Sequence, residues 1–204
     1  MLSPFPDQIE TIQGFASLRI AGPEGYSRSK FSFLFVHPEK AKIEVFDFLG
    51  RTLYQIIIDE DRAFLVVPSK KIYWKSTEEE IMDKFIGSKL SVNEVKSFLS
   101  GHWGYLGKKT GEGNKSSWVI KRNTDGKVVQ GQKQDMSFQV NEYIDDTRLI
   151  RTLDFENRYQ EGKLKILSIG FNEPAKESLF SFSFMRSFEK KSWNEIKDMI
   201  DHES

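Results

Sequence analysis

Residues 42–58 run Lys42-Ile-Glu-Val-Phe-Asp-Phe-Leu-Gly-Arg-Thr-Leu-Tyr-Gln-Ile-Ile-Ile58. Lys42–Phe46 alternates polar and apolar side chains, as a strand with one buried face does. Thr52–Ile58 is a second strand, rich in β-branched residues. The connection Asp47-Phe48-Leu49-Gly50 is too short for a crossover, so the two strands pair antiparallel. Turn tips are normally polar, which makes Phe48-Leu49 anomalous. Either the tip folds back into the core, the commoner fate of apolar residues near turns, or it is a wedge for an apolar partner.

The same period-two pattern extends in both directions. Residues 26–36 place Phe31, Phe33 and Phe35 on one face, with Ser32 and Leu34 on the other. Further strands are expected at Ile12–Ile20, Arg62–Val67, Lys71–Trp74, Ser117–Arg122, Met136–Tyr143, Thr147–Phe155, Lys163–Phe171 and Ser178–Met185. Turn signals such as Asp125-Gly126 and Glu161-Gly162 separate many of them. Strands spaced this closely leave no room for crossover helices, so the sheet should be antiparallel and meandering. Helical periodicity is confined to three islands. Glu78–Ile86 pairs Ile81 with Phe85 and Met82 with Ile86 behind an acidic first turn. Val92–Leu99 carries the stripe Val92, Val95 and Leu99, with Ser91 and Glu94 as a capping box and Gly101 as the stop. Trp193–Ile200 repeats the Ser-x-x-Glu start at Ser192.

Composition narrows the chemistry. The 204 residues suit one domain spanning 1–204, and the polar stretch 107–117 is expected to be a loop. Lys+Arg 30 balance Asp+Glu 30, which argues against nucleic acid as a partner and against a strongly ionic one. The absence of cysteine removes disulfides, thiol nucleophiles and thiolate metal sites. Three histidines nominate neither a metal centre nor a base, and none is a catalytic candidate. No apolar run is long enough for a membrane-spanning helix, and Met1-Leu2-Ser3-Pro4 does not read as a secretory signal. Gly107–Gly113 completes no phosphate-binding fingerprint. Asp145-Asp146 and Glu78-Glu79-Glu80 sit at a turn and a helix start, where negative charge is locally favourable. Lys70–Lys75, with its interleaved Tyr73 and Trp74, is explained by strand alternation as well as by a stacking platform. No cofactor and no enzyme activity is indicated. What stands out is 17 phenylalanines in a chain only 38% hydrophobic.

The order of these pieces resembles the LolB outer-membrane lipoprotein receptors and their LolA-like relatives. The resemblance rests on Ile12-Gln-Gly-Phe-Ala-Ser-Leu-Arg-Ile20, the Phe31–Phe35 strand, the Lys42–Phe46 strand with its Leu49-Gly50 turn, the Glu79–Gly87 helix and Leu90–Gly101. It implies a mainly β (α+β) fold: one strongly curved antiparallel half-barrel, with short helices forming a lid over an apolar cavity. It implies a monomeric, non-enzymatic periplasmic protein that shields acyl chains of lipoproteins or lipids and delivers them to the inner leaflet of the outer membrane. A periplasmic carrier protein would hand the cargo over. Phe31, Phe33 and Phe35 would line the cavity. Ile81, Met82, Phe85, Val92, Val95 and Leu99 would form the lid, Phe48-Leu49-Gly50 would be the membrane-delivery loop, and no metal is called for. The wedge reading of Leu49 thereby gains over the core reading. Phe48 stands where the family often has Pro. A receptor of this type is anchored through an N-terminal lipidated Cys, which this chain lacks. Either that anchor precedes it, the reading Leu49 favours and the one taken here, or the protein is a soluble LolA-like carrier, toward which the Phe excess leans. The alternative is a sensory or protein-interaction module of the cell envelope on the same fold.

Overall fold

The computed structural model describes residues 9–23, 25–60, 62–86, 90–101, 118–145 and 147–201. The polar stretch 107–117, His102, Asp146, His202 and the N-terminal residues 1–8 lie outside them.

Strands β1 (Thr11–Gly22), β2 (Gly25–Val36), β3 (Lys40–Phe46), β4 (Thr52–Asp59), β5 (Arg62–Val67) and β6 (Ile72–Ser76) follow one another as an antiparallel meander. Helices α1 (Glu78–Ile86) and α2 (Val92–Ser100) come next. A second meander follows, of β7 (Val119–Arg122), β8 (Val128–Lys133), β9 (Met136–Tyr143), β10 (Ile150–Glu156) and β11 (Glu161–Phe171). Strand β11 pairs antiparallel with β1 and fuses the two meanders, with a bulge that leaves Leu167 unpaired. After β11 the chain reaches the far edge, where β12 (Glu189–Lys190) pairs parallel with β6, and ends in α3 (Trp193–Asp201). The result is one open twelve-stranded sheet with edges at β12 and β7.

Alternation along each strand sorts side chains onto two faces. The inner face carries the main core: Phe31, Phe33, Phe35, Ile43, Val45, Ile56, Leu65, Trp74, Phe138 and Phe155 are all buried there. The helices close this face. Helix α1 packs on β5, α2 on β1 and β10, and α3 on β6. The ring centroids of Trp193 in α3 and Trp74 lie 5.4 Å apart.

Three expectations need correction. Ser178–Met185 is not a strand but two 3-10 turns, Glu177–Phe180 and Ser183–Ser187. Its alternating Ser/Phe letters mimic a strand, yet Phe180 and Met185 are the residues that turn inward. They bury against Leu34, Ile57, Phe64 and Val66 on the outer face. The run Ile56-Ile-Ile58 is therefore apolar on both sides because both sides are covered. Second, Val128–Lys133 is a strand that the sequence pattern did not announce. Gly131 interrupts its alternation, and a Cβ there would meet the Phe138 ring at 2.3 Å. Third, the sheet is not wholly antiparallel, since β12 joins in parallel after a crossing that the letters do not mark.

Candidate functional site

The three phenylalanines of β2 stand in a column, with centroid separations of 6.2 Å between Phe31 and Phe33 and 6.0 Å between Phe33 and Phe35. Phe85 of α1 meets this column edge-on, 6.2 Å from Phe31 and 6.1 Å from Tyr54 of β4. Burial pushes the Tyr54 hydroxyl up to about 12, so it stays protonated among these rings. Ile81 and Met82 are fully buried, Val92 and Leu99 are buried, and Phe85 and Val95 are half-buried against the inner-face core. The six residues expected in a lid and the three expected beneath it thus lie on facing elements.

The sequence reading missed the other half of this interior. Phe98 of α2, Trp118 and Phe138 of β9 form an aromatic triangle with centroids 5.0–5.3 Å apart. The available signal was the alternation Met136, Phe138, Val140, which repeats the pattern of β2. Three of the inner-face rings sit over glycines, Phe138 over Gly131 among them. A Cβ at Gly162 would stand 2.2 Å from the Phe155 ring, and one at Gly14 would stand 2.8 Å from Phe33 Cζ. Each ring rests where its neighbour strand has no side chain, which keeps the inner face low beneath the helices.

Polar contacts fasten the helical cover at its ends. Ser91 and Glu94 form a capping box at the start of α2, and the Glu94 carboxylate also accepts from Trp118 Nε1 at 2.8 Å and Lys133 Nζ at 2.5 Å. One carboxylate thereby ties α2 to β8 and to the residue that opens β7. Glu78 accepts from the Val92 backbone N–H, linking α1 to α2. Burial raises the Glu78 pKa. The Val92 bond opposes this, and Glu39, Glu79 and Glu94 add to the rise. A carboxyl with a raised folded pKa weakens the fold above that pKa, and the penalty disappears below the ordinary value of 4.5. Glu78→Gln keeps an acceptor for Val92 and removes the charge. Its thermal midpoint is expected above wild type at neutral pH, with the two curves converging as pH falls below 4.5. Thermal melts across that range check it; a Glu78→Gln protein that melts lower at neutral pH would show that the charged bond outweighs desolvation.

The β3–β4 tip does not fold back. Phe48 is 93% exposed and Leu49 64% exposed. The tip is nonetheless held in one shape. Asp47 Oδ1 accepts from the backbone N–H of Leu49 at 2.9 Å and of Arg51 at 2.8 Å, and Arg51 Nε donates to Oδ2 at 2.7 Å. Gly50 takes a φ of +82°, a conformation that suits glycine. Desolvation alone would raise the Asp47 pKa; the Arg51 and Leu49 bonds outweigh it and hold the carboxyl below its usual range. This lock is present above pH 3.8 and is lost as pH falls through the lower folded value.

A cleft of about 510 Å³ lies elsewhere, toward the β1–β2 hairpin end of the sheet, with Arg19, Tyr26, Gln130, Gln139 and Lys163 among its lining residues. Among the described residues no three His, Asp or Glu side chains converge as a metal site, and no helix is long and apolar enough to cross a membrane.

An open, mostly antiparallel sheet whose apolar inner face is covered by short helices defines the LolA-like class of folds. Solved structures share it. A DUF1329 family protein from Desulfovibrio piger superposes with a TM-score of 0.64 at 12% identity, over 88% of this chain and 93% of that one. A LolA superfamily protein from Nitrosomonas europaea gives 0.56 at 7% identity, over 88% and 94%. A putative outer membrane lipoprotein-sorting protein domain from Vibrio parahaemolyticus gives 0.53 at 10% identity, over 88% and 92%. At these identities the likeness is one of fold. Sequence goes further: the family model of LolB, described as outer membrane lipoprotein LolB, matches residues 16–168, and the chain belongs to that family. The family works in lipoprotein sorting, by binding rather than by catalysis. No curated protein matches the chain in sequence.

Proposed function

We propose that this protein takes up acyl chains of lipoproteins or lipids between the inner face of the sheet and the α1–α2 cover, and delivers them to the inner leaflet of the outer membrane. In this reading it works in the periplasm, as a monomer that receives cargo from a carrier protein. The observation that carries it is the pairing of an apolar, helix-covered inner face with an exposed apolar tip held rigid by Asp47. Phe31, Phe33 and Phe35 supply the floor. Ile81, Met82, Phe85, Val92, Val95 and Leu99 supply the cover, and Phe85, edge-on to both Phe31 and Tyr54, is the residue that an entering chain displaces first. A long acyl chain gains on the order of 10 kcal/mol by leaving water, at about 0.8 kcal/mol per CH₂, so an apolar interior is a necessity for any carrier. The cover must also open, and among the described residues the polar bonds that hold it include the Glu78 and Glu94 contacts at the ends of its helices. The residues that close the inner face are mostly apolar, so a tail can replace side-chain contacts without stranding polar groups.

The test is direct. The purified protein is expected to quench or shift an apolar fluorophore, to release it on addition of a triacylated peptide, and to show one acylated peptide per chain by native mass spectrometry. Absence of both fluorophore binding and acyl-peptide binding would defeat the reading.

A further inference from the structure

The outer face of β2, β1 and β11 carries an arrangement that the sorting role does not explain. Arg19 of β1 stands directly opposite Arg28 of β2 on one side and Lys163 of β11 on the other. One pair further along the same face, Ser17 stands between Lys30 and Lys165. All five cationic residues are exposed. Cross-strand partners have Cβ atoms about 5 Å apart, and like charges directly opposite one another destabilise a sheet. Lys163 has an ion-pair partner, Asp154 at 3.2 Å. Among the described residues, no carboxylate reaches Arg19, Arg28, Lys30 or Lys165. Glu161 and Glu156 face each other in the next row toward the end of the sheet, Glu161 also opposite Ala21 and Glu156 also opposite Ser137, and Glu44 of β3 stands opposite Ser32 of β2. In a chain with no net charge, this is local segregation of positive charge at a cost in stability.

Its position says what it serves. Lys30 pairs with Phe46, the residue that leads into the Asp47–Arg51 tip, so the cationic rows and the exposed Phe48-Leu49 share one end of the sheet. Tyr26, 66% exposed, stands on the same face two residues beyond Arg28. Arg19, Lys163 and Tyr26 also border the 510 Å³ cleft at the β1–β2 hairpin end, where Asp154, Glu156 and Glu161 line it too. Apolar side chains that reach below the headgroups, an aromatic at their level and cations around them are the components of a membrane-interface contact.

We infer that Arg19, Arg28, Lys30, Lys163 and Lys165 form a docking lattice for anionic phospholipid headgroups, which holds this end of the sheet against a bilayer while the Phe48-Leu49 tip inserts. The lattice rests on the membrane-delivery reading and deepens it by naming the lipid charge that the protein meets.

Co-sedimentation of the cargo-free protein with vesicles of phosphatidylcholine, and with vesicles of phosphatidylcholine and phosphatidylglycerol, tests it. Wild type is expected to prefer the phosphatidylglycerol vesicles and to lose that preference as salt is raised. Each cation near such a surface contributes about 1 kcal/mol, about fivefold in affinity, so Arg19→Gln/Arg28→Gln/Lys30→Gln should bind on the order of a hundredfold more weakly. Relief of like-charge repulsion should leave that variant at least as stable as wild type, and the salt titration of wild type stands as evidence without it. Equal binding of the two vesicle types, or an unchanged triple variant, overturns the lattice. Binding of an acidic peptide without vesicle binding overturns it in favour of a protein partner. The fluorophore assay on the same samples separates the two proposals. Acyl binding without a phosphatidylglycerol preference sinks the lattice alone, and a preference that depends on Arg19, Arg28 and Lys30 without acyl binding upholds the lattice and sinks the carrier reading.

Discussion

Leu49→Glu should leave the protein folded and abolish transfer of acylated cargo to vesicles. At 64% exposure Leu49 contributes little to the folded state, so the melting curve is expected to move by no more than about 0.5 kcal/mol, as for other surface changes. Delivery is another matter. Burying a leucine or phenylalanine side chain in an apolar phase is worth about 1.5–3 kcal/mol, and a carboxylate placed at the same depth adds an opposing cost. A loss of at least a hundredfold in transfer rate is therefore expected, with fluorophore binding by the inner face unchanged. Asp47→Ala separates shape from greasiness. It keeps Phe48 and Leu49 but deletes the acceptor of three hydrogen bonds, and a partial loss is expected because a loose tip must be ordered when it inserts. Stopped-flow transfer of a fluorescent acylated peptide to vesicles measures both. Full transfer by Leu49→Glu would remove the tip from the mechanism.

That tip also shows what the sequence could and could not disclose. Phe48-Leu49 was visible as an anomaly, but letters alone favoured a tip folded into the core. Its exposure depends on Asp47, whose short side chain satisfies the Leu49 and Arg51 N–H groups and so stiffens the turn without packing it. Strands β1, β3 and β6 and all three helices were legible from a clear period, and β4 and β5 from their β-branched, apolar runs. Where both faces are covered, alternation fades. Ile56, Ile57 and Ile58 are all fully buried, and the outer cover comes from residues more than a hundred positions away. The Ser/Phe alternation over Ser181–Phe184 shows the opposite failure. Period two was present, but the segment lies across an already complete outer face, with Phe182 stacked 4.5 Å from Phe64. The cationic lattice was hidden for a related reason. Arg19, Arg28 and Lys163 are scattered in sequence, and register alone brings them side by side.

Gly14→Ala should be the most damaging small change in the described chain. Its Cβ would stand 2.1 Å from the backbone carbonyl oxygen of Ser168 and 2.8 Å from Phe33 Cζ. The first of these contacts is with backbone, so no rotamer change relieves it. Relief requires β1 and β11 to part, and that pairing is the seam between the two meanders, beside the bulge at Phe15 and Ala16. Overpacking of this kind costs about 3 kcal/mol, at the upper end of the usual range. At roughly 2–4 °C per kcal/mol for a chain of this size, the midpoint should fall by about 10 °C. Gly126→Ala is the matched control. It meets nothing within 4 Å and carries only the strain of a φ of +76°, so a cost of about 1 kcal/mol is expected. Function should follow the same geometry. With Gly14 filled, the Phe33 ring is driven toward the helical cover, into the space that an acyl chain would take, and fluorophore affinity should drop even in variant that remains folded at low temperature. A Gly14→Ala protein that melts and binds like wild type would mean that the ring is not seated on the glycine and that the height of the inner face is set by something else.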